Sequence, residues 1–306
     1  MSDRPNKEFR SGFITVIGRT NVGKSTLMNA LVGEKVAIVS NRPQTTRNQV
    51  RGVLTRPEYQ LVFIDTPGLH RPRTKLGEYM VKTARTALRE VDAVLAVVDA
   101  SQKIGPGDLA AMESIRTHHE GAPVVLALNK IDLVHPSALL EVIDTFKDYD
   151  FIREIIPVSA LKKDGVAKLE AVLAGFMPQG PQYFPEDMFT DQPEYVLAAE
   201  FIREQALLNL KEEIPHGVGV EIVRTHRREN GLLEIECNLY VEKASHKSII
   251  IGKDGSMLKR IGTKAREEME ALFGEKIYLS VWVKVKEGWR DTPGILRELG
   301  YTEEKG

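Results

Sequence analysis

The sequence predicts a doubly wound α/β domain followed by a smaller α+β domain. From Gly12 to about Phe176, short apolar runs alternate with amphipathic stretches of helical length. This alternation is typical of a parallel sheet that helices cover on both faces. A proline-rich stretch, 177–193, then interrupts the pattern. We therefore predict one domain over 11–176, a linker over 177–193, a second domain over 194–285 and a tail over 286–306.

Length, charge and cysteine content narrow the class of protein. The 306 residues can form two domains that each bury a core, and the net charge of −1 gives no overall attraction to polyanions. The single cysteine, Cys237, excludes a disulfide framework and suits a reducing compartment. The start has no signal-peptide core, and no apolar run approaches the ~18 residues of a membrane span. We expect a cytoplasmic protein.

The first domain is expected to place its ligands at the carboxyl ends of the parallel strands. The predicted strands are Phe13–Ile17, Gln60–Ile64, Ala93–Val98, Val124–Leu128 and Glu154–Val158, and the predicted helices are Lys75–Arg89, Gly107–Glu120 and Pro136–Tyr149.

A phosphate-binding turn follows the first strand. Gly18, Gly23, Lys24 and Ser25 match G-x-x-x-x-G-K-[ST], the spacing of a P-loop. Glycines let backbone N–H groups approach a triphosphate, lysine adds a positive charge, and the serine hydroxyl is a hard oxygen ligand for Mg²⁺. The residues assigned to nucleotide binding here are Gly18, Arg19, Thr20, Asn21, Val22, Gly23, Lys24, Ser25 and Thr26.

A second group of polar residues follows the next predicted strand. Asp65 is placed to hold Mg²⁺ through water, and the N–H of Gly68 can meet a γ-phosphate. Thr66, Pro67 and Leu69 complete this nucleotide-binding turn. A threonine from the polar stretch 40–48 would reach the same Mg²⁺ and act as a switch. Thr46 is our choice and Thr45 the alternative. We assign catalysis to Lys24, Thr46, Asp65 and Gly68, and Mg²⁺ binding to Ser25, Thr46 and Asp65.

Two further turns predict guanine as the base. Asp132 can accept hydrogen bonds from two guanine donors that adenine lacks. Asn129 would hold the base-binding loops together, and the Lys130 stem would cover the base. The remaining residues assigned to the base site are Ile131, Ser159, Ala160 and Leu161.

The second domain combines a glycine turn with a basic face. The signals run helix, strand, strand, G-x-x-G, helix, strand. Between 243 and 266 there are seven lysines or arginines and one acid, Asp254. A G-x-x-G turn brings backbone N–H groups against a sugar-phosphate chain, so this domain is predicted to bind RNA. The assigned residues are Ile251, Gly252, Lys253, Asp254, Gly255, Lys259, Arg260 and Lys264.

These motifs, taken in order, resemble a known family. The first-domain set, including Gln44 to Arg47, resembles the Era group of bacterial translation-factor-like GTPases, and the second domain resembles a type II KH domain. The fold implied is a P-loop NTPase G domain followed by that KH domain. The function implied is GTP hydrolysis with Mg²⁺ and binding of small-subunit (16S) ribosomal RNA near its 3′ end during assembly of the 30S subunit. The resemblance also allows peripheral contact with the inner membrane, and we expect a monomer.

Other interpretations remain open at this stage. Leu69 stands where Ras-like enzymes carry a water-orienting glutamine, so we expect slow intrinsic hydrolysis. Asn21 stands where potassium-activated GTPases of this broader class carry an asparagine. That likeness implies that its side-chain oxygen, with switch carbonyls, holds an activating K⁺; the alternative is that Asn21 only stabilises its loop. The function alternatives are a GTPase of another RNA-related role with a KH-like accessory domain, and a constitutive RNA-binding adaptor. The apolar tail is expected to pack beside the RNA groove.

Overall fold

The computed structural model describes residues 9–42, 44–69 and 72–301. The residues that bear on a signal peptide, 1–8, and the end of the predicted tail, 302–306, lie outside these ranges. The described chain divides into two compact units. Unit 1 contains the residues up to Ala37, those from Thr46 to Leu69, and Met80–Asp191. Unit 2 contains Ile38–Thr45, Pro72–Tyr79 and the residues from Gln192 onward.

The sheet of unit 1 confirms the predicted α/β class. Its strands are β1 (Arg10–Ile17), β2 (Val50–Arg56), β3 (Tyr59–Asp65), β4 (Ala93–Asp99), β5 (Val124–Asn129) and β6 (Ile152–Pro157), in the order β2-β3-β1-β4-β5-β6. All neighbouring pairs are parallel except β2 with β3. The sequence prediction missed β2, because an edge strand that pairs through a hairpin needs no continuous apolar run.

Helices pack on both faces of the sheet of unit 1, and each face has its own hydrophobic core. They are α1 (Lys24–Val32), the part of α2 (Lys75–Thr86) from Met80 onward, α3 (Pro106–His118), α4 (Pro136–Phe146) and α5 (Val166–Phe176). Alternate residues of β4 divide between the two cores, since Leu95 and Val97 belong to one core and Val94 and Ala96 to the other. Every residue of β4 and β5 is buried. The loops at the carboxyl ends of these strands therefore start from a rigid base.

The predicted linker lies along unit 1 as far as Asp191. The Ser11 hydroxyl donates a 2.6 Å hydrogen bond to the carbonyl of Pro181. The Gln60 side-chain oxygen accepts hydrogen bonds from the N–H groups of Tyr183 (2.8 Å) and Phe184 (3.0 Å). The ring of Tyr183 also packs against Phe13. The stretch is thus attached to the first unit by hydrogen bonds and by the ring of Tyr183.

Unit 2 has the predicted order of elements. Its helices are α6 (Glu194–Asn209), α7 (Ala244–Ile251), α8 (Ser256–Phe273) and α9 (Pro293–Glu298), and its strands are β7 (Gly219–Arg227), β8 (Leu233–Val241) and β9 (Ile277–Val285). β7 and β8 form an antiparallel hairpin, and β9 pairs in parallel with β8. Ile38 joins the core of this unit. The N–H of Val39 donates to the Glu204 carboxylate at 2.6 Å.

The tail packs on unit 2, but not where we expected it. Trp289 is fully buried, and its indole N–H donates to the Gly217 carbonyl at 2.9 Å. The Arg290 guanidinium forms an ion pair with Glu242 at 2.6 Å. These partners lie at the start of β7 and the end of β8 rather than along the G-x-x-G helix. Within the described ranges, no helix is both long and apolar enough to cross a membrane.

Candidate nucleotide and RNA sites

The P-loop in unit 1 depends on a glycine between β1 and α1. Gly23 has a φ of 97°, and a Cβ there would lie 2.3 Å from Nδ2 of Asn129. Any other residue would be strained and would also push Asn129 away. Helix α1 begins at the next residue, Lys24, so its first free N–H groups face the position that a phosphate would take.

Lys24 is buried at the start of this helix. Its ammonium donates to the carbonyls of Arg19 (3.1 Å) and Gly18 (3.3 Å). Burial lowers the pKa of Lys24 from 10.5 to about 8, although the negative charge of Asp65 works in the opposite direction. A polyanion at this position would restore full protonation.

Ser25, Thr46 and Asp65 come together as an oxygen cluster, although 40 residues separate the first from the last. The Ser25 hydroxyl donates to Oδ2 of Asp65 at 2.6 Å and lies 2.9 Å from the Thr46 hydroxyl. The Thr46 hydroxyl also donates to Oδ2 of Asp65, at 3.2 Å. Thr45 has other contacts, since its hydroxyl donates to the Arg42 carbonyl at 2.7 Å. The placement therefore favours Thr46 over Thr45.

The oxygen cluster fits a hard divalent cation. Oδ1 of Asp65 is buried and has no hydrogen-bond partner among the described residues. Burial raises the pKa of Asp65, opposed by the charge of Lys24 and by its hydrogen bonds. Two hydroxyls and one carboxylate are the donor types that Mg²⁺ prefers. A cation here would compensate the buried carboxylate.

The turn after β3 lies directly against the P-loop. The N–H of Leu69 donates to the Gly18 carbonyl at 3.2 Å, and the Thr66 hydroxyl donates to the Val16 carbonyl at 2.8 Å. A Cβ on Gly68 would lie 2.8 Å from the backbone nitrogen of Thr20. Gly68 is therefore at the phosphate-binding turn, as its assigned role requires.

Asn129 ties three loops together at the predicted base site. Its Nδ2 donates to the Val22 carbonyl at 2.8 Å, and its Oδ1 accepts from the N–H of Ala160 at 3.0 Å. The Asp132 carboxylate is exposed and accepts a 2.6 Å hydrogen bond from the Ser159 hydroxyl. One oxygen of Asp132 is thus oriented by the 159–161 turn.

Asp99, at the end of β4, belongs to this site and was missed from the sequence. The Lys130 ammonium forms an ion pair with Asp99 at 2.7 Å and donates to the Asn21 carbonyl at 2.9 Å. Burial favours a raised pKa for Asp99, but hydrogen bonds from Lys130 and Ser101 outweigh it and lower the pKa. Its position at the carboxyl end of a parallel strand was a usable signal.

The glycine turn of unit 2 stands between α7 and α8. Gly252 and Gly255 have φ values of 72° and 76°. Beside the turn, α8 and β9 border an open groove of about 340 Å³. Of the predicted RNA-binding residues, Gly255 and Lys259 line it, whereas Lys253 and Arg260 are exposed outside it and Lys264 pairs with Glu267. The lining residues that were not predicted are Leu258, Gly262, Thr263, Arg266, Leu279 and Val281.

Each of the two domains matches the model of a known protein family. Residues 13–130 match the model described as a 50S ribosome-binding GTPase, and residues 213–290 match the KH domain model. The chain is 52% identical to the GTPase Era of Ruminiclostridium cellulolyticum, over 97% of this chain and 99% of that protein. It is 50% identical to the GTPase Era of Alkaliphilus metalliredigens, over 96% and 99% of the two chains. The chain belongs to the Era family of GTPases.

Solved Era structures have the same fold as this chain. A variant of Aquifex aeolicus Era bound to GDP and aluminium fluoride gives a TM-score of 0.92 at 38% identity, over 96% of this chain and 100% of that one. Era in complex with MgGDPNP and nucleotides 1506–1542 of 16S ribosomal RNA gives 0.90 at 38% identity, with the same coverage. The predicted fold, a G domain followed by a KH domain, and the predicted family are confirmed.

Proposed function

We propose that this chain is a GTP-hydrolysing, RNA-binding switch that binds small-subunit ribosomal RNA near its 3′ end and acts in 30S subunit assembly. The observation that carries the proposal is the agreement over 96% of the chain with an Era structure that holds MgGDPNP and nucleotides 1506–1542 of 16S ribosomal RNA. The two sites described above supply the chemistry that each ligand requires.

The nucleotide part of the proposal is supported by the P-loop and the base site. Lys24 binds the β and γ phosphates, and Asp132 accepts from the guanine N1–H and 2-amino groups. Mg²⁺ is held by Ser25, by Thr46 and, through water, by Asp65. When bound, this ion neutralises charge on the transferring phosphoryl group. The side chain of Leu69 cannot orient water, so slow intrinsic hydrolysis is part of the proposal.

The RNA part of the proposal is supported by the groove beside Gly255. A groove with an apolar floor and basic residues at its rim suits unstacked bases and their phosphates. The test measures affinity for an RNA with the sequence of nucleotides 1506–1542, with a non-hydrolysable GTP analogue and with GDP. We expect tighter binding with the analogue, and phosphate release from GTP that Lys24→Ala abolishes. Binding that ignores the nucleotide would contradict the switch.

Potassium activation is a finer part of the same proposal. Asn21 lies in the P-loop with a left-handed φ of 65°, and its backbone carbonyl accepts a hydrogen bond from the Lys130 ammonium. The side-chain oxygen of Asn21, with carbonyls of the switch segment, would hold K⁺ near the transferring phosphoryl group and add positive charge there. We expect faster GTP hydrolysis in KCl than in NaCl for the wild-type protein only. Equal hydrolysis rates in KCl and NaCl would contradict potassium activation. A KCl-to-NaCl rate ratio in Asn21→Ala that equals the wild-type ratio would contradict the role of Asn21.

Location and assembly state complete the proposal. We place the protein in the cytoplasm with peripheral contact to the inner membrane, as a monomer. The family resemblance is the support for the membrane contact. Cell fractionation tests the location, and light scattering tests the monomeric state. Neither result bears on the GTPase activity.

A further inference from the structure

Trp282 is an exposed aromatic residue on the edge strand of unit 2. Trp282 is 66% exposed, whereas Trp289, the other tryptophan of the chain, is fully buried. Exposing an indole to water forgoes the burial free energy that a core position would give. An isolated exposed tryptophan is therefore a candidate contact for a ligand.

Strand alternation places Trp282 next to the RNA groove but on the other face of β9. Leu279 and Val281 point into the groove. Successive residues of a strand point to opposite faces, so Trp282 and Lys284 point away from it. Within the part of the chain that the structure describes, β9 pairs with one strand, β8. A nucleic-acid chain that leaves the groove over β9 reaches Trp282 on the far side.

The indole of Trp282 differs from the other aromatic rings on this face. A guanidinium from Arg228 lies 5.2 Å from the ring centre of Tyr278, and the Lys286 ammonium lies 4.7 Å from that of Tyr240. Among residues 9–42, 44–69 and 72–301, no such cation covers Trp282. Its ring is therefore available for a flat partner.

The charges around Trp282 permit a polyanion. Asn238 lies beside Trp282 in register on β8, and Glu221 follows on β7. The Glu221 carboxylate accepts hydrogen bonds from Asn238 (2.8 Å) and from the Tyr240 hydroxyl (2.6 Å). It stays ionised, and the positive charges of Lys284 and Lys286 nearby offset its charge. Lys284 is exposed on the face that carries Trp282. An aromatic ring with a nearby lysine is the combination that single-stranded nucleic acid uses.

We propose that Trp282 stacks on a base of RNA that continues from the groove around the edge of β9. The RNA-binding surface then has two sides, the groove between α8 and β9 and the outer face of the sheet. This inference rests on the proposed RNA-binding function. The groove alone is expected to hold about four nucleotides, so only longer RNA would reach Trp282.

The test compares long and short RNA with three variants. The long probe has the sequence of nucleotides 1506–1542 of 16S ribosomal RNA, and the short probe is the tightest-binding tetranucleotide tiled along it. Trp282→Ala should weaken binding of the long probe by about 5- to 100-fold, the value of one stacked base, and leave the short probe unchanged. Trp282→Phe should retain most of the affinity. Tyr278→Ala, whose ring Arg228 already covers, is the matched control and should change neither.

Fluorescence gives a second, direct readout. The long probe should quench the emission of the wild-type protein and protect it from acrylamide, and both effects should be absent in Trp282→Phe because the remaining Trp289 is buried.

Two results would overturn the inference. If the wild-type protein and Trp282→Ala bind the long probe equally well, with no quenching, RNA does not contact Trp282. The exposed face would then be assigned to a protein partner. An equal loss for both probes would place the effect in the groove. If the wild-type protein binds neither probe, the proposed RNA-binding function fails first.

Discussion

The nucleotide edge of unit 1 and the RNA groove of unit 2 are built in opposite ways. In unit 1 the key groups are buried or paired with one another before any ligand arrives, as Ser25 with Asp65 and Lys130 with Asp99 illustrate. The groove of unit 2 is open, and its two basic lining residues are the exposed Lys259 and the half-buried Arg266, which pairs with Glu270. A paired and buried site gives high discrimination, because a wrong ligand leaves polar groups without partners. An open groove tolerates variation and relies on area and charge.

The largest expected effect is at Asp132, the base-specificity residue of the nucleotide site in unit 1. In Asp132→Asn an amide donor replaces an acceptor, so it opposes the guanine donors and suits the extra carbonyl of xanthine. GTP affinity should fall by about 10³-fold or more, while XTP affinity rises. Competition binding with GTP, XTP and ATP measures this. Retained GTP preference would remove Asp132 from the base site.

A smaller loss is expected in the open groove. Gly255→Asp puts a carboxylate at the groove and should weaken RNA binding by about 10- to 100-fold. Gly231→Asp is the matched control, since both glycines have positive φ (76° and 81°) and nothing lies within 4 Å of the position that a Cβ would take at either. Both variants should lose similar stability, about 1 kcal/mol. Equal RNA affinities would mean that backbone strain, and not the groove, caused the loss.

The pH dependence of nucleotide binding should follow Lys24. In the free protein its pKa is lowered to about 8, and a bound phosphate raises it again. Only the protonated form binds well, so GDP affinity should fall as pH rises through about 8, by about tenfold between pH 7 and 9. Calorimetry at several pH values measures the slope. The same slope in Lys24→Met would assign it to another group.

The smallest effect is expected from the ion pair that positions Lys130. Asp99→Asn removes the charge that holds the Lys130 ammonium, and GTP and GDP affinity should fall by about three- to tenfold. Glu113→Gln, which breaks the exposed pair with Arg116, serves as a control and should have no effect. If the two variants bind GDP equally well, Lys130 does not depend on Asp99.

The fold was predictable where one local signal decides the structure. The five parallel strands were found because buried strands such as β4 and β5 are almost wholly apolar. Strand β2 was missed because its pairing with β3 at the edge of the sheet decides its conformation. The order of elements in unit 2 was likewise clear from the glycine turns and the alternating strands.

The site was predictable in its motifs but not in its supporting contacts. Lys24, Asp65 and Asp132 stand at fixed positions after strands, so spacing alone located them. Asp99 meets Lys130 only because β4 and β5 pair with Asp99 opposite Asn129. Leu279 and Val281 enter the groove only because α8 packs beside β9. Such contacts depend on register and packing between distant segments, which spacing does not reveal.

The stretch 177–191 has a practical consequence for fragments of this protein. A G domain cut at Phe176 would lose the backbone partners of Ser11 and Gln60, two buried polar side chains of the sheet. Each of these three hydrogen bonds contributes about 0.5–1.5 kcal/mol net, and together they are a large part of the stability of one domain. A stable fragment should therefore extend to Asp191, so the covalent end of the G domain lies 15 residues beyond its last helix at Phe176.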